Sequence, residues 1–232
     1  KLVLGTGPAP YVPDSCLDVL PKALHSSEYL NRKSDLQKQK VITITGGGQS
    51  AAEIFYDLLQ DIDTYGYQLN WITRSPRYFP LEYSKLTLEM TSPEYVDYFF
   101  DLPAEKRDHL VANQKHLYKG INSSLINDIY DLLYIKRLSG NVNVQLLTNT
   151  EMVSAGFAED GSILMELHQK EQDTRHSITT EGLVFATGYT YRLPDFLQGI
   201  SSRIRWDKQG RFDVARNYSI DVNESSIFVQ NA

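Results

Sequence analysis

The chain has 232 residues, with 23 Lys and Arg against 29 Asp and Glu for a net charge of −6, and it is 41% apolar. That length suffices for one sizeable core or two small domains, and a mildly acidic chain with no basic run argues against nucleic acid or an anionic membrane as partner. The single cysteine, Cys16, excludes a disulfide framework, a Cys-rich zinc site and a CxxC redox pair, and no apolar run approaches the roughly 20 residues of a membrane span. The composition predicts a soluble α/β protein of a reduced compartment, the cytoplasm.

The chain opens on a strand-like run, Leu2-Val3-Leu4, followed by a turn at Gly5-Thr6-Gly7-Pro8. Residues 11–40 read as a Pro- and Ser-punctuated connection with short helical pieces. Val41-Ile42-Thr43-Ile44-Thr45 is a β-branched run, hence a buried strand. Gly46-Gly47-Gly48 follows, and residues 50–60 carry apolar side chains at 51, 54, 55, 58 and 59, the spacing of one helix face. Leu69–Thr73 is a second strand. Residues 74–92 are a loop, and 93–118 read as a helix with Pro93 in its first turn. Residues 124–138 form another helix, closed by Gly140. From 142 to 185 the pattern turns to strands: 142–146, 163–167 after the Asp160-Gly161 turn, and 183–186 ending in Thr187-Gly188-Tyr189. A last strand-like run, Ile227–Ala232, closes the sequence. The two ends read as those of a middle piece from a larger protein whose outer parts build a second domain.

Gly46-Gly47-Gly48-Gln49-Ser50-Ala51 fits G-x-G-x-x-[GA] between a strand and a helix. Gly46 permits the tight turn, Gly48 lets backbone approach a pyrophosphate, and Ala51 allows close helix–strand packing. The helix N-terminus adds free N–H groups and partial positive charge. An NAD site usually carries Asp or Glu after the second strand, for the ribose diol. Here stands Thr73-Arg74-Ser75, so Arg74, with Ser75 or Arg77 near it, points to the 2′-phosphate of NADPH.

Several segments together resemble the flavin-dependent N-hydroxylating monooxygenases, the lysine and ornithine N-hydroxylases of siderophore biosynthesis. They are Gly5-Thr6-Gly7, His25-Ser26-Ser27-Glu28-Tyr29, the run from Gly46 to Glu53, Thr91-Ser92-Pro93-Glu94-Tyr95, Ala186-Thr187-Gly188-Tyr189 and Ile227–Ala232. The resemblance covers essentially the whole chain. It implies a Rossmann-like NADPH-binding α/β domain, a parallel sheet with flanking helices and a β-rich segment, plus connecting strands of a discontinuous FAD-binding domain. The expected division is 1–38 as the end of an FAD-domain segment with a connection, 39–182 as the NADPH-binding domain and 183–232 as the return into the FAD-binding domain. Most of the FAD site is then expected outside this chain, and the chain alone is expected to be inactive.

By the same resemblance, NADPH reduces FAD, and molecular oxygen forms a flavin hydroperoxide that hydroxylates a neutral primary amine. Gly46, Gly48, Gln49 and Ser50 would hold coenzyme phosphates and ribose, Gln49 also setting the nicotinamide against the flavin. Arg74 matches the 2′-phosphate arginine, and Asn122 a family asparagine between nicotinamide and substrate amine. Thr187, Gly188 and Tyr189 would sit where the chain returns toward the flavin, and His25 and Ser26 in the connection between domains. The family's residue for the amino-acid end of the substrate aligns with Leu88, which offers no side-chain hydrogen bond. A zwitterion would be poorly served there. Lysine or ornithine thus competes with a diamine or histamine-type amine such as putrescine, cadaverine or histamine, and a one-residue slip would make Glu89 the polar contact. The family also implies a homo-oligomer.

The plainer readings are these. The five histidines show no metal-ligand spacing, so no metal is expected. Tyr95, Tyr98, Phe99 and Phe100 read as packing, and Asp57, Asp61 and Asp63 as a solvated helix face. Against sulfur- or ketone-oxidising flavoenzymes, Val19 and Pro21 replace the Phe and Gly of an F-x-G-x-x-x-H pattern ending at His25. A dithiol reductase would need a CxxC from outside the chain. A catalytically inactive nucleotide-binding module is the alternative from another class.

Overall fold

The computed structural model describes residues 1–82, 84–140, 142–223 and 226–230; Asn231 and Ala232, the end of the family-like C-terminal run, lie outside the described residues. In chain order the elements are β1 (Leu2–Leu4), β2 (Ala9–Pro10), β3 (Leu24–His25), α1 (Tyr29–Leu36), β4 (Val41–Thr45), α2 (Gln49–Tyr65), β5 (Gln68–Ile72), α3 (Pro93–Asp101), α4 (Ala104–Asn113), α5 (Ser123–Ser139), β6 (Val144–Leu147), β7 (Thr150–Phe157), β8 (Ile163–Gln169), β9 (Thr174–Thr180), β10 (Gly182–Phe185), β11 (Tyr189–Thr190) and β12 (Ile227–Val229). Two units form. One comprises 1–10, 88–111 and 189–232, the other 11–87 and 112–188. The sequence boundaries at 38/39 and 182/183 do not coincide with this division.

The unit 11–87 with 112–188 is built on a parallel sheet ordered β3-β10-β4-β5-β6. Successive side chains of a strand point to opposite faces, and the burial follows that rule. Ile42 and Ile44 of β4, Trp71 of β5 and Val184 of β10 pack with Phe55, Leu58 and Leu59 of α2 and Ile129 and Leu133 of α5. Ile72, Leu183 and Phe185 face the other way, onto Ile163, Met165 and Leu167 of β8 and Cys16 and Val19. A three-stranded antiparallel sheet, β7-β8-β9, thus supplies the second cover that a parallel sheet requires. Its outer strand β9 is mostly exposed and polar, which hid it from a reading of apolar runs.

The other unit pairs β1 with β12 in parallel and β2 with β11 antiparallel. Its core gathers Leu4, Leu197, Ile204, Ile220, Ile227 and Val229. Arg216 pairs with Asp97 at 2.5 Å, and Arg211 with Asp108 at 3.1 Å and Asp207 at 2.7 Å.

Three expectations are corrected. The helix read over 93–118 is two helices and a 3₁₀ turn, because Pro103 holds Leu102 extended (φ −71°, ψ 147°) and interrupts it. The aromatic run packs but is not core: none of the α3 side chains is buried, Tyr98 is 57% exposed, and the Tyr95 ring lies tilted against Tyr98 and stacked on Phe99. Asp57, Asp61 and Asp63 are not a merely solvated face. Lys33 bridges Asp57 (2.8 Å) and Asp61 (3.1 Å), and Lys136 reaches Asp63 (2.6 Å).

Candidate functional site

The strand order carries the first clue. From β4 the chain moves outward to β5 and β6, then returns to place β10 on the opposite side of β4. Ligands of open parallel sheets bind beyond the carboxyl ends of the strands at such a reversal. Gly46, Gly48, Gln49 and Ser50 follow β4, Arg74 follows β5, and Thr187 and Gly188 follow β10.

The turn after β4 is fixed from several sides. Gly46 adopts φ +148°, and a Cβ there would lie 2.2 Å from the Ala186 carbonyl oxygen. Its N–H donates to Ile72 O (2.9 Å), and its carbonyl accepts the Trp71 indole N–H (2.7 Å). Trp71 is itself wedged between Phe55 (centroids 4.8 Å) and Tyr78 (4.1 Å). The Tyr78 hydroxyl donates to Trp71 O, and burial pushes that phenol far above its ordinary range. Gly48 differs from Gly46: no atom lies within 4 Å of where its Cβ would be. It is the N-cap of α2 and supplies no capping side chain, so the first-turn N–H groups of a 17-residue helix have no side-chain cap. A glycine kept where the chain itself leaves room, at a positive helix end, suits a phosphate group.

Gln49 begins α2, and its amide is held at both ends. Its Nε2 donates to Glu53 Oε1 one turn on (2.9 Å), and its Oε1 accepts the backbone N–H of Asn122 (2.7 Å). A carboxylate on one side and an N–H donor on the other permit one amide orientation. Asn122 is the N-cap of α5, its Oδ1 accepting from Ser124 N (2.9 Å) and Oγ (2.7 Å). Gly120 approaches so closely that a Cβ would stand 2.7 Å from Leu81 N, and Ile121 donates to Phe79 O. Gln49 and Asn122, 73 residues apart in sequence, are therefore directly bonded and join the starts of two helices.

On the β10 side, Gly188 O accepts from Tyr11 N (3.0 Å) and lies 2.9 Å from His25 Nε2. Because Ser27 N donates to His25 Nδ1 (3.2 Å), Nε2 is the ring donor. His25 is 3% exposed and lies in the edge strand β3, so this histidine ties the end of β10 to its neighbour. Thr187 Oγ1 donates to Tyr11 O. Tyr189, Leu88 and Glu89 belong to the other unit, Tyr189 in β11 and the latter two in the 3₁₀ turn Thr87–Thr91. Leu88 is 38% exposed, and its carbonyl accepts from Thr91 Oγ1. Sequence reasoning assigned no role to Glu53 or Ser124, which orient Gln49 and Asn122. Their spacings, i+4 within a helix and i+2 from an N-cap, were the available signal. Among the described residues no group of three or more His, Cys, Asp or Glu could hold a metal, and no helix is long and apolar enough to cross a membrane.

Residues 1–191 match the family described as L-lysine 6-monooxygenase/L-ornithine 5-monooxygenase. The chain is 57% identical, over its whole length and 46% of the relative's, to a putrescine N-hydroxylase of Shewanella oneidensis. It is 46% identical to an alcaligin biosynthesis enzyme of Bordetella pertussis, again over its whole length and 50% of the relative's. Its structure is similar to that of DfoA bound to FAD, the cadaverine monooxygenase of desferrioxamine biosynthesis from Erwinia amylovora. The TM-score is 0.94 at 59% identity, over all of this chain and 54% of that one. The chain thus spans about half the length of the relatives it matches.

Proposed function

Because the chain belongs to the L-lysine 6-monooxygenase/L-ornithine 5-monooxygenase family, we propose that it is the NADPH-binding part of a flavin-dependent monooxygenase that N-hydroxylates a primary amine for siderophore biosynthesis. The observation that carries this reading is the open space over Gly48 at the uncapped start of α2, whose first residue Gln49 bonds Asn122 at the start of α5. In it the α2 N-terminus, with Gly46, Gly48 and Ser50, receives the coenzyme pyrophosphate and ribose. Arg74, exposed at the end of β5, takes the 2′-phosphate. NADPH supplies the hydride that reduces FAD, and the flavin activates molecular oxygen. The bulk of the FAD site is assigned to the half of the relatives' length that this chain does not span, with Thr187, Gly188 and Tyr189 on the path toward it.

The chain's own contribution is placement. The two-sided hold on the Gln49 amide fixes which atom it offers the nicotinamide, and the same bond anchors the Asn122 backbone. Asn122 is then the group between coenzyme and amine. Its Oδ1 is engaged by Ser124, which leaves its Nδ2 hydrogens to direct. A pre-set donor and acceptor reduce the reorganisation needed when the reactants meet.

The substrate is read as a diamine. By its alignment with the family's residue for the amino-acid end of the substrate, Leu88 offers hydrocarbon in place of the polar partner that a zwitterion would need. The Shewanella and Erwinia relatives, named for putrescine and cadaverine, support that choice over lysine and ornithine. The test is hydroxylamine formation by the full-length enzyme with FAD and NADPH, offered ornithine, lysine, putrescine, cadaverine and histamine, with peroxide release followed in parallel. Coupled product with putrescine or cadaverine is expected. Product with lysine or ornithine alone would overturn the diamine reading, and peroxide alone with every amine would overturn N-hydroxylation.

A further inference from the structure

Beside Arg74 stands a charged group that the coenzyme reading leaves unused. Thr150 N donates to Thr73 O (2.9 Å) and Asn149 N to Ser75 O (2.8 Å), so the start of β7 grips the residue on each side of Arg74. Lys170 N donates to Asn149 O (2.8 Å), which ties the end of β8 to the same place. The Lys170 side chain forms an ion pair with Glu151 at 2.7 Å, their side chains 41% and 38% exposed. The Glu151 carboxyl is held below the usual carboxylate range, first by the Lys170 hydrogen bond, with further contributions from the charges of Lys170, Arg74 and His168. His168 stands opposite Glu151 in the β7–β8 register and bonds Asp173 at 2.8 Å. One carboxylate therefore lies under the influence of two cations from different elements, Arg74 and Lys170. Arg77, the other arginine of the segment, donates to its neighbour Pro76 O.

We infer that Lys170 is the second cation of the subsite for the coenzyme's 2′-phosphate and that Glu151 is its resting counter-ion. This rests on the assignment of NADPH to the β4–α2 turn and Arg74. A phosphate monoester carries nearly two negative charges, more than one guanidinium neutralises. Lys170 has the flexible four-carbon stem and point charge that let it turn from a carboxylate to an arriving phosphate. An exposed ion pair is weak, so exchanging it for a dianion costs little. Glu151 opposes the phosphate by like charge and thereby tempers the affinity that Arg74 and Lys170 provide. NADH, without the phosphate, gains nothing from Lys170.

The test uses the full-length, FAD-loaded enzyme and calorimetric dissociation constants for NADP⁺, NAD⁺ and 2′-AMP, at about 50 and 500 mM salt. Lys170→Ala should weaken NADP⁺ and 2′-AMP about tenfold and NAD⁺ less than about twofold, with Lys170→Arg restoring most of the loss. Glu151→Gln should tighten NADP⁺ about threefold, and both effects should shrink at the higher salt. Should Lys170→Ala leave the NADP⁺/NAD⁺ ratio unchanged while Arg74→Ala collapses it, the role of Lys170 is refuted and the coenzyme reading stands. If Arg74→Ala weakens both nucleotides equally, the coenzyme reading itself fails and takes this inference with it. Equal losses for both nucleotides on Lys170→Ala would reduce Lys170 to a structural tie.

Discussion

Gly46 and Gly48, two residues apart, meet opposite constraints. At Gly46 the backbone is left-handed and a side chain would collide with Ala186 O. At Gly48 the backbone is ordinary (φ −111°) and the space is open. The two alanine substitutions should therefore separate folding from binding. Gly46→Ala is expected to cost about 3 kcal/mol or more, because neither the dihedral nor the contact is relieved by a rotamer change. Gly48→Ala is expected to stay within about 1 kcal/mol of the parent in denaturant melts while NADP⁺ affinity falls at least about tenfold. An unchanged affinity for Gly48→Ala would remove the phosphate from that turn. The glycine pattern itself was legible from spacing. The separate duties of its first and third positions were legible too; the Ala186 carbonyl that bars a side chain at Gly46 was not, because it lies 140 residues away in sequence.

At the scale of elements, α2 and α5 start side by side, and the bond between Gln49 and Asn122 is their common anchor. Asn122 caps α5 and, on the proposed reading, also faces the reactants, and one substitution pair can divide the two roles. Asn122→Ala should lose the cap, about 1 kcal/mol, together with coupled hydroxylation. Asn122→Asp keeps an acceptor for Ser124 and should recover the stability, but it lacks the Nδ2 hydrogens and should still release peroxide in place of hydroxylamine. Thermal melts and product coupling measured on both variants decide the point. Recovery of coupling by Asn122→Asp would mean that Asn122 acts only through the helix. The elements best read from sequence were those whose packing is local or periodic: β4, α2, β5 and α5. β3 was hidden because Leu24-His25 is a two-residue strand that exists only by pairing with β10. β7 and β9 were missed because their burial alternates with bulges and exposed polar residues rather than forming an apolar run. The break at Pro103 was written in the sequence, and the aromatic run before it masked the signal.

For the molecule as a whole, the unit built on the parallel sheet holds, among the described residues, three shielded phenols, those of buried Tyr29 and Tyr67 and of half-buried Tyr78. Tyr29 donates to Asp57 (2.6 Å), Tyr67 to Leu58 O (2.5 Å) and Tyr78 to Trp71 O (3.0 Å). Burial raises all three well above the ordinary tyrosine range, and Asp57 adds to the shift of Tyr29. A raised folded-state value means that the unfolded chain releases these protons first. Stability from this source is complete below about pH 10 and declines as pH rises beyond it. Alkaline titration followed at the tyrosinate band should show these three of the 15 tyrosines ionising together with the loss of circular dichroism. Three phenols titrating in the intact fold near pH 10 would contradict their burial.

The sheet order has a consequence for synthesis. β10 lies between β3 and β4, yet it leaves the ribosome after both, some 140 residues behind β4. Until then a nascent chain carries an empty slot beside the unpaired edge of β4, the kind of template on which chains pair with the wrong neighbour. Gly182 begins the arriving strand, and a Cβ there would stand 2.5 Å from Leu36 Cδ1. The last strand into the slot thus enters on the residue with the least width.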